Sequence, residues 1–392
     1  MVHTFSCLGQ NFLLDVESGT LCRIDANMRK FIDSVNSPSG VIGSGEFSRL
    51  RKLYPEEADE VSELVNKGLL FTKASDFVPP KPDGTIKSMC LNICHNCNLA
   101  CAYCFADEGK YSGQKASMTA ETACRALDFL AEKSGTRRNL EVDFFGGEPL
   151  MNMSAVYAAV EHGRKLEKSH GKNFRFTITT NALGLNDEIS DFLDKEMYNV
   201  VISIDGRKNV HNQVRKTQGG KDSFDVVLQN ALAFRRKRGD RQYYVRGTFT
   251  ALNKDFAADA LALADYGFDK LSLEPVVLPD SHPLALKDSD LPELFEQYES
   301  LAAEYLKRRK KTETWFSFFH FIVDLKHSPC LSKRYSSCGA GTEYVAVTPS
   351  GEIYPCHQFV GNAAYKMGNI ESGEIDSALY EKFCANNLAY KP

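Results

Sequence analysis

The sequence predicts an α/β fold: an open, partial (β/α)6 barrel, preceded by a winged-helix-like module and followed by a second cysteine-bearing region. Two observations carry this expectation. From Ile86 onward, short apolar strand signals alternate with amphipathic helical ones, the pattern of parallel strands joined by helical crossovers. Ahead of them a proline-rich stretch, residues 76–84, closes off an N-terminal segment of different pattern.

In the N-terminal segment, residues 1–75, the runs His3–Val16 and Thr20–Asp25 flank Glu17-Ser18-Gly19 and read as a strand pair joined by a turn. Helices are predicted over 26–35 and 55–67, the second with proline at its start and Gly68 just past its end. Leu69–Thr72 is expected to return as a strand. Residues 76–85 form the linker. The barrel spans 86–287, with strands over 86–93, 140–145, 174–179, 200–204, 243–250 and 271–276. Between them lie helices such as 119–133, 155–168, 188–195 and 224–236. Bridging helices fill 288–329, and the second cysteine region runs from 330 to 392. In such barrels function gathers at the C-terminal ends of the strands.

The composition excludes several classes. A net charge of -4 over 392 residues gives no bulk attraction to nucleic acid or to an anionic membrane. No run of about 18 or more uncharged apolar residues exists, and the N-terminus lacks the layout of a signal peptide. A cytoplasmic protein is expected, with no nucleic-acid and no membrane partner. In that compartment twelve cysteines do not form a disulfide framework. Cys7, Cys22 and Cys124 read as small buried apolar residues.

The first predicted strand runs into C-H-N-C-N-L-A-C-A-Y-C, Cys94 to Cys104. Structural zinc takes two C-x-x-C pairs on separate knuckles with a long gap between them. Here only three residues separate Cys97 from Cys101, spacing that an iron–sulfur cubane accepts more readily. The inner three cysteines, Cys97, Cys101 and Cys104, with Tyr103 between the last two, resemble the C-x3-C-x-aromatic-C motif of radical SAM enzymes. That resemblance implies a [4Fe–4S] cluster held by three thiolates, with an open iron for S-adenosylmethionine (SAM). It implies reductive cleavage of SAM to a 5′-deoxyadenosyl radical that abstracts hydrogen from substrate. Cys94 is outside the motif and is expected to be a spectator.

Further segments resemble the same family. Gly146-Gly147-Glu148-Pro149 follows the second strand, although alone it would read as an ordinary turn. Thr180-Asn181 follows the third strand, and Ser203 and Asp205 the fourth. By resemblance these residues, with Tyr103, bind SAM. Arg246, a charge inside the fifth strand, resembles a residue facing the SAM carboxylate; an outward, solvated arginine is the alternative. Glu274 ends the sixth strand and is expected in the same cavity.

Cys338 and Cys356, on either side of the turn Pro349-Ser350-Gly351, resemble the opening of a SPASM domain and are expected to ligate an auxiliary cluster. Two reduced core thiols are the alternative. The SPASM pattern continues with further cysteines, whereas only Cys384 follows Cys356 here. The region is therefore expected to be incomplete, with Cys330 or Cys384 as further donors.

Across nearly the whole chain, including V-H-T-F, V-D-F-F-G-G-E-P-L-M-N and Y-Y-V-R-G-T-F-T, the sequence is similar to maturases of SCIFF peptides. The resemblance implies thioether links, of sactipeptide or ranthipeptide type, from cysteine sulfur to carbon in a cysteine-rich precursor. It also implies that residues 1–75 act as a RiPP recognition element for the leader, and that a flavodoxin or ferredoxin supplies electrons. Carbon–carbon cross-linking, epimerisation and formylglycine formation are alternatives. A non-catalytic electron carrier or peptide-binding protein stands further off.

Overall fold

The computed structural model describes residues 2–36, 44–73, 81–111, 113, 115–311, 314–323 and 338–387. The chain divides into two compact units: residues 1–80 with 322–335, and residues 81–321 with 336–392.

In the first unit, β1 (Val2–Cys7), β2 (Gln10–Asp15) and β3 (Leu21–Ile24) form an antiparallel sheet. Helices α1 (Ala26–Val35), α2 (Ser44–Leu53) and α3 (Pro55–Asn66) accompany it. Phe31, Ile32, Leu13 and Val61 are buried in their shared core. The predicted strand pair is thus a three-stranded sheet. Leu8 and Gly9 both take positive φ, the backbone of a tight hairpin turn, and they split the first run in two. Leu69–Phe71 are bends rather than the expected strand. The buried Asp15 accepts hydrogen bonds from the backbone N–H groups of Glu17, Ser18 and Thr72 and from the Thr72 hydroxyl. That set of bonds holds the segment without a ladder.

The second unit carries β4 (Ser88–Cys94), β5 (Leu99–Cys101), α4 (Ala120–Lys133), β6 (Asn139–Gly146), α5 (Met153–His170), β7 (Asn173–Thr180) and α6 (Asp187–Glu196). There follow β8 (Asn199–Ser203), α7 (Lys208–Val214), β9 (Arg215–Thr217), α8 (Phe224–Arg238), β10 (Tyr243–Phe249), α9 (Phe256–Asp265) and β11 (Lys270–Pro275). The rest comprises α10 (Leu291–Arg309), β12 (Ser317–Phe318), β13 (Tyr344–Val347), β14 (Glu352–Tyr354), β15 (Gly368–Asn369), β16 (Glu374–Ile375) and α11 (Ser377–Ala385).

The main sheet has the order β12-β11-β10-β8-β7-β6-β4-β13-β14-β15-β16. Strands β12 through β13 are parallel neighbours, and the remainder pair antiparallel. The six predicted barrel strands are β4, β6, β7, β8, β10 and β11, so the open α/β half-barrel expected from the sequence is present. Strand β13 lies along the outer edge of β4, with Tyr344 opposite Ser88 and Ala346 opposite Cys90.

Alternation along the strands decides which residues face where. On β6, Leu140, Val142 and Phe144 are buried in the main core with Phe129 and Phe176. Asp143 and Phe145, the intervening residues, therefore project from the opposite face, towards the barrel interior. By the same parity Tyr244, Arg246 and Thr248 share the inner face of β10, because Tyr243, Val245 and Phe249 are core residues.

Candidate functional site

Strand β4 delivers Cys94 to the C-terminal edge of the sheet, and the next ten residues fold over that edge. Two glycines make this possible. A Cβ on Gly147 would lie 2.1 Å from the Asn96 carbonyl oxygen, and one on Gly146 would lie 2.5 Å from that of Cys94. Without side chains, Gly147 N–H donates to the Cys94 carbonyl at 2.7 Å and Glu148 N–H to that of Asn96 at 2.9 Å. In this structure the Gly-Gly pair thus lets the second strand's loop approach the cysteine loop. The Cys97 thiol accepts from Leu99 N–H, and Asn181 Nδ2 lies 3.7 Å from it.

Cys94 takes a different place. Its buried thiol belongs to the main core, donates to the Asn96 carbonyl and faces Ser117. Cys97, Cys101 and Cys104 are electrostatic neighbours. Burial drives the Cys97 thiol up to about 12, with Glu148 and the other two sulfurs adding to the effect. Burial likewise drives Cys101 up to about 11, although Arg215 opposes it. Among the described residues no group of three or more His, Cys, Asp or Glu side chains converges on a point suited to a single metal ion.

The sequence-predicted SAM residues lie around this loop at the strand ends. Glu148 is buried; Oε1 accepts from Leu150 N–H and from the Thr180 hydroxyl at 2.6 Å, and Oε2 from Asn181 N–H at 2.7 Å. Burial raises its pKa against these bonds. Ser203 ends β8, with Arg246 as its β10 partner. Asp205, also buried, accepts from the Tyr103 hydroxyl at 2.6 Å and from Thr248 N–H at 3.1 Å. Arg246 is exposed as a residue yet acts electrostatically on Asp143, Glu274 and His357. Glu274 accepts from Ser272 and pairs with His320 Nε2 at 3.1 Å, while His320 Nδ1 lies 2.8 Å from the Tyr298 hydroxyl.

Two charged residues beside the site were missed. Arg215 is 7% exposed, donates to the Tyr103 hydroxyl at 2.7 Å and stands 3.6 Å from Asp205 Oδ1. It reaches the cysteines through a two-stranded ribbon, in which β9 pairs with β5 and Arg215 stands opposite Cys101. Asp143, on the barrel's inner face, has an Oδ1 that is sealed from solvent and lacks a hydrogen-bond partner. Burial pushes its carboxyl up to about 7 despite the Arg246 charge. Such alternation of a charge inside an otherwise apolar strand, V-D-F-F, was the signal available for Asp143.

In the second cysteine region β13 and β14 form the expected hairpin, with Ala346 opposite Tyr354. Gly341 N–H donates to the Pro355 carbonyl, which folds the Cys338 loop over the end of β14. Burial pushes the Cys356 thiol up, and the neighbouring Cys338 acts in the same direction. Cys384 lies on α11 beside Tyr380 and Glu381, and Cys330 lies outside the described residues. His357 packs against Phe145 at 5.0 Å and Phe105 at 5.6 Å between ring centres.

Residues 91–267 match the radical SAM superfamily, and residues 338–389 match SPASM, an iron–sulfur cluster-binding domain. The chain carries a radical SAM domain followed by a SPASM domain. It is homologous to peptide-modifying maturases. Relatives include the radical SAM cyclopropyl synthase TigE of Paramaledivibacter caminithermalis, 23% identical over 94% of this chain and 80% of that protein. A cysteine-type anaerobic sulfatase-maturating enzyme of Clostridium novyi is 27% identical over 70% of this chain and 74% of its own. Among solved structures, Streptococcus suis SuiB bound to precursor peptide SuiA superposes with a TM-score of 0.57 at 15% identity, over 98% of this chain and 89% of that one. The sulfatase-maturating enzyme anSMEcpe with bound AdoMet gives 0.61 at 19% identity, over 77% and 81%. These two likenesses establish the fold.

The cofactors of this radical SAM protein are a [4Fe–4S] cluster and SAM, with auxiliary iron–sulfur cluster binding in the SPASM domain. The first cysteine loop fits its part. Burial pushes the Cys97 and Cys101 thiols up, so a bound cationic group is needed to hold them as thiolates, and three cysteines carried on one loop are a donor set suited to a multi-iron core. Cys97, Cys101 and Cys104 would hold that core. Among the described residues no helix is long and apolar enough to cross a membrane.

Proposed function

We propose that this radical SAM protein is a peptide maturase that joins a cysteine sulfur to a carbon of a ribosomally made, cysteine-rich precursor, giving a thioether. The observation that carries the reading is the position of the second cysteine pair. Its hairpin extends the barrel sheet at β4, and the ring of His357, next to Cys356, packs at a tilt against that of Phe105, next to Cys104. The two cysteine-bearing loops are thus neighbours, which supports the reading that both serve one reaction. When bound, the first cluster and SAM supply one-electron reduction and hydrogen-atom abstraction.

The chain's own residues bind, orient and shield. Glu148 organises the loops after β6 and β7 through Thr180 and Asn181. Tyr103, Ser203, Asp205, Arg246 and Glu274 are the proposed SAM-facing residues, alongside Gly146, Gly147, Thr180 and Asn181. Phe105, Phe145 and His357 form an aromatic cluster between the two cysteine loops. Burial keeps the His357 ring neutral down to about 4, with Arg246 acting in the same direction. Cys338 and Cys356 are the proposed donors that would hold an auxiliary cluster, which when bound would supply a thiolate-binding iron and a one-electron acceptor.

The first unit is proposed to hold the leader peptide. In its three-stranded sheet β1 and β3 are edge strands, and an extended peptide can add to such an edge through main-chain hydrogen bonds. Electrons are proposed to come from a flavodoxin or ferredoxin.

The test is anaerobic reconstitution with SAM and reductant, first assaying 5′-deoxyadenosine, then the mass of a cysteine-rich precursor peptide. Thioether formation removes two hydrogens and one free thiol per link. A product that keeps every thiol free rejects the thioether in favour of carbon–carbon linkage or epimerisation. Failure to cleave SAM rejects the enzyme.

A further inference from the structure

Arg215 is the buried guanidinium beside the first cysteine loop, and no role follows for it from the motifs in the sequence. Five features place it. Strand β9 pairs antiparallel with β5, and Arg215 is the direct partner of Cys101. The ladder continues one step further, where Ala102 N–H donates to the Val214 carbonyl at 2.8 Å. Nη1 donates to the hydroxyl of Tyr103, the residue between two cysteines of the motif. Nε is buried without any hydrogen-bond partner. Ser223 pins the backbone by donating to the Arg215 carbonyl at 2.6 Å, and Asn212 accepts from Ser223 and Phe224 N–H.

A fully paired ion pair with Asp205 would give Arg215 a structural role alone. The geometry argues for more. The Asp205 contact is 3.6 Å, and Tyr103 is inserted between the two groups, accepting from Arg215 and donating to Asp205. One face of the guanidinium is thus satisfied and Nε is left over on a cation that stays charged. Leaving a buried donor unmade is costly, so an acceptor belonging to the assembled site is implied. Arg215 acts on the Cys101 sulfur, along with Asp205, Cys104 and Glu108, which are all acidic.

We propose that Arg215 is the charge-setting residue of the first cluster. Its fixed positive charge would offset the negative charge of a core carrying three thiolates, and its unpartnered Nε–H is the donor left free for that core. The net charge of such a cluster becomes more negative on reduction, and a nearby cation in a low-dielectric site favours the reduced form. Arg215 therefore raises the reduction potential, and the Asp205 carboxylate pulls it down.

The test uses the full chain, anaerobically reconstituted, with the first cluster's potential read by EPR-monitored redox titration without SAM. Iron content and the affinity for SAM itself are measured alongside. Arg215→Gln is expected to shift the potential to more negative values, Arg215→Lys to restore most of it, and Asp205→Asn to shift it to more positive values. A role confined to packing would lower stability without shifts of opposite sign. Should Arg215→Gln fail to hold iron, the Arg215→Lys and Asp205→Asn pair still decides. An unmoved potential in Asp205→Asn, or in an iron-replete Arg215→Gln, overturns the proposal. So does a change confined to SAM affinity, which would assign Nε to SAM. Because no peptide is used, failure here is separate from failure of the thioether reading.

Discussion

The rings of Phe105 and His357 lie 5.6 Å apart, and each follows a motif cysteine, Cys104 or Cys356, by one residue. The contact joins two loops more than two hundred residues apart in sequence. Phe145 adds a third ring, 5.0 Å from His357, and His357 Nδ1 meets the Tyr344 hydroxyl at 3.3 Å. Replacing His357 by alanine removes the middle of this stack and leaves a void. A cost of about 2 kcal/mol is expected, read by equilibrium unfolding. His357→Phe should recover more than half of it by restoring ring contacts. Equal losses in both variants would show that the Tyr344 hydrogen bond, rather than stacking, holds the loops.

Gly147→Ala should act on the cysteine loop without touching a thiol. The new Cβ would lie 2.1 Å from the Asn96 carbonyl oxygen, and backbone cannot rotate away as a side chain can. Overpacking of this kind typically costs roughly 1–3 kcal/mol. The expected outcome is a lower unfolding midpoint and reduced iron per chain after reconstitution. Wild-type iron content in this variant would mean that the loop has another equally good path.

How far the sequence anticipated these relationships depends on how local each one is. The six barrel strands follow from runs such as Leu140–Phe145, whose own composition sets their conformation, and they agree with the structure to within a few residues. Cys97, Cys101 and Cys104 could be singled out from the sequence because their spacing is carried on one loop. Arg215 was not. Its meaning comes from a three-residue ribbon that pairs it with Cys101, and strands that short carry no periodicity. The Leu8-Gly9 turn was missed for a related reason: a non-glycine residue at positive φ is uncommon and unannounced. The bends at Leu69–Phe71 depend on Asp15, more than fifty residues earlier.

Asp143 should make stability depend on pH in the unusual direction for an aspartate. Burial raises its carboxyl to about 7 from an ordinary value of 3.8. Between those values the folded chain keeps a proton that the unfolded chain releases. Its contribution to stability is therefore full below about pH 4 and is lost as pH rises through about 7. Linkage sets the slope at no more than about 1.4 kcal/mol per pH unit, roughly 4 kcal/mol in all. Asp143→Asn should remove this slope, so the variant gains on wild type at pH 8 relative to pH 5 in denaturant unfolding. Parallel pH profiles would show that the folded carboxyl is already ionised.

Cys94 tests the division of labour among the four clustered cysteines. Its thiol donates to the Asn96 carbonyl and packs in the main core beside Ser117, whereas Cys97, Cys101 and Cys104 sense one another. Cys94→Ala should leave iron and sulfide per chain unchanged and cost about 1 kcal/mol from lost packing. Cys97→Ala should lose the first cluster's iron while leaving the SPASM region's share. The two variants differ by only three positions in the same loop, so a general disturbance of folding would lower iron in both. Iron loss in Cys94→Ala at undiminished stability would instead make Cys94 a ligand and close the site that SAM requires.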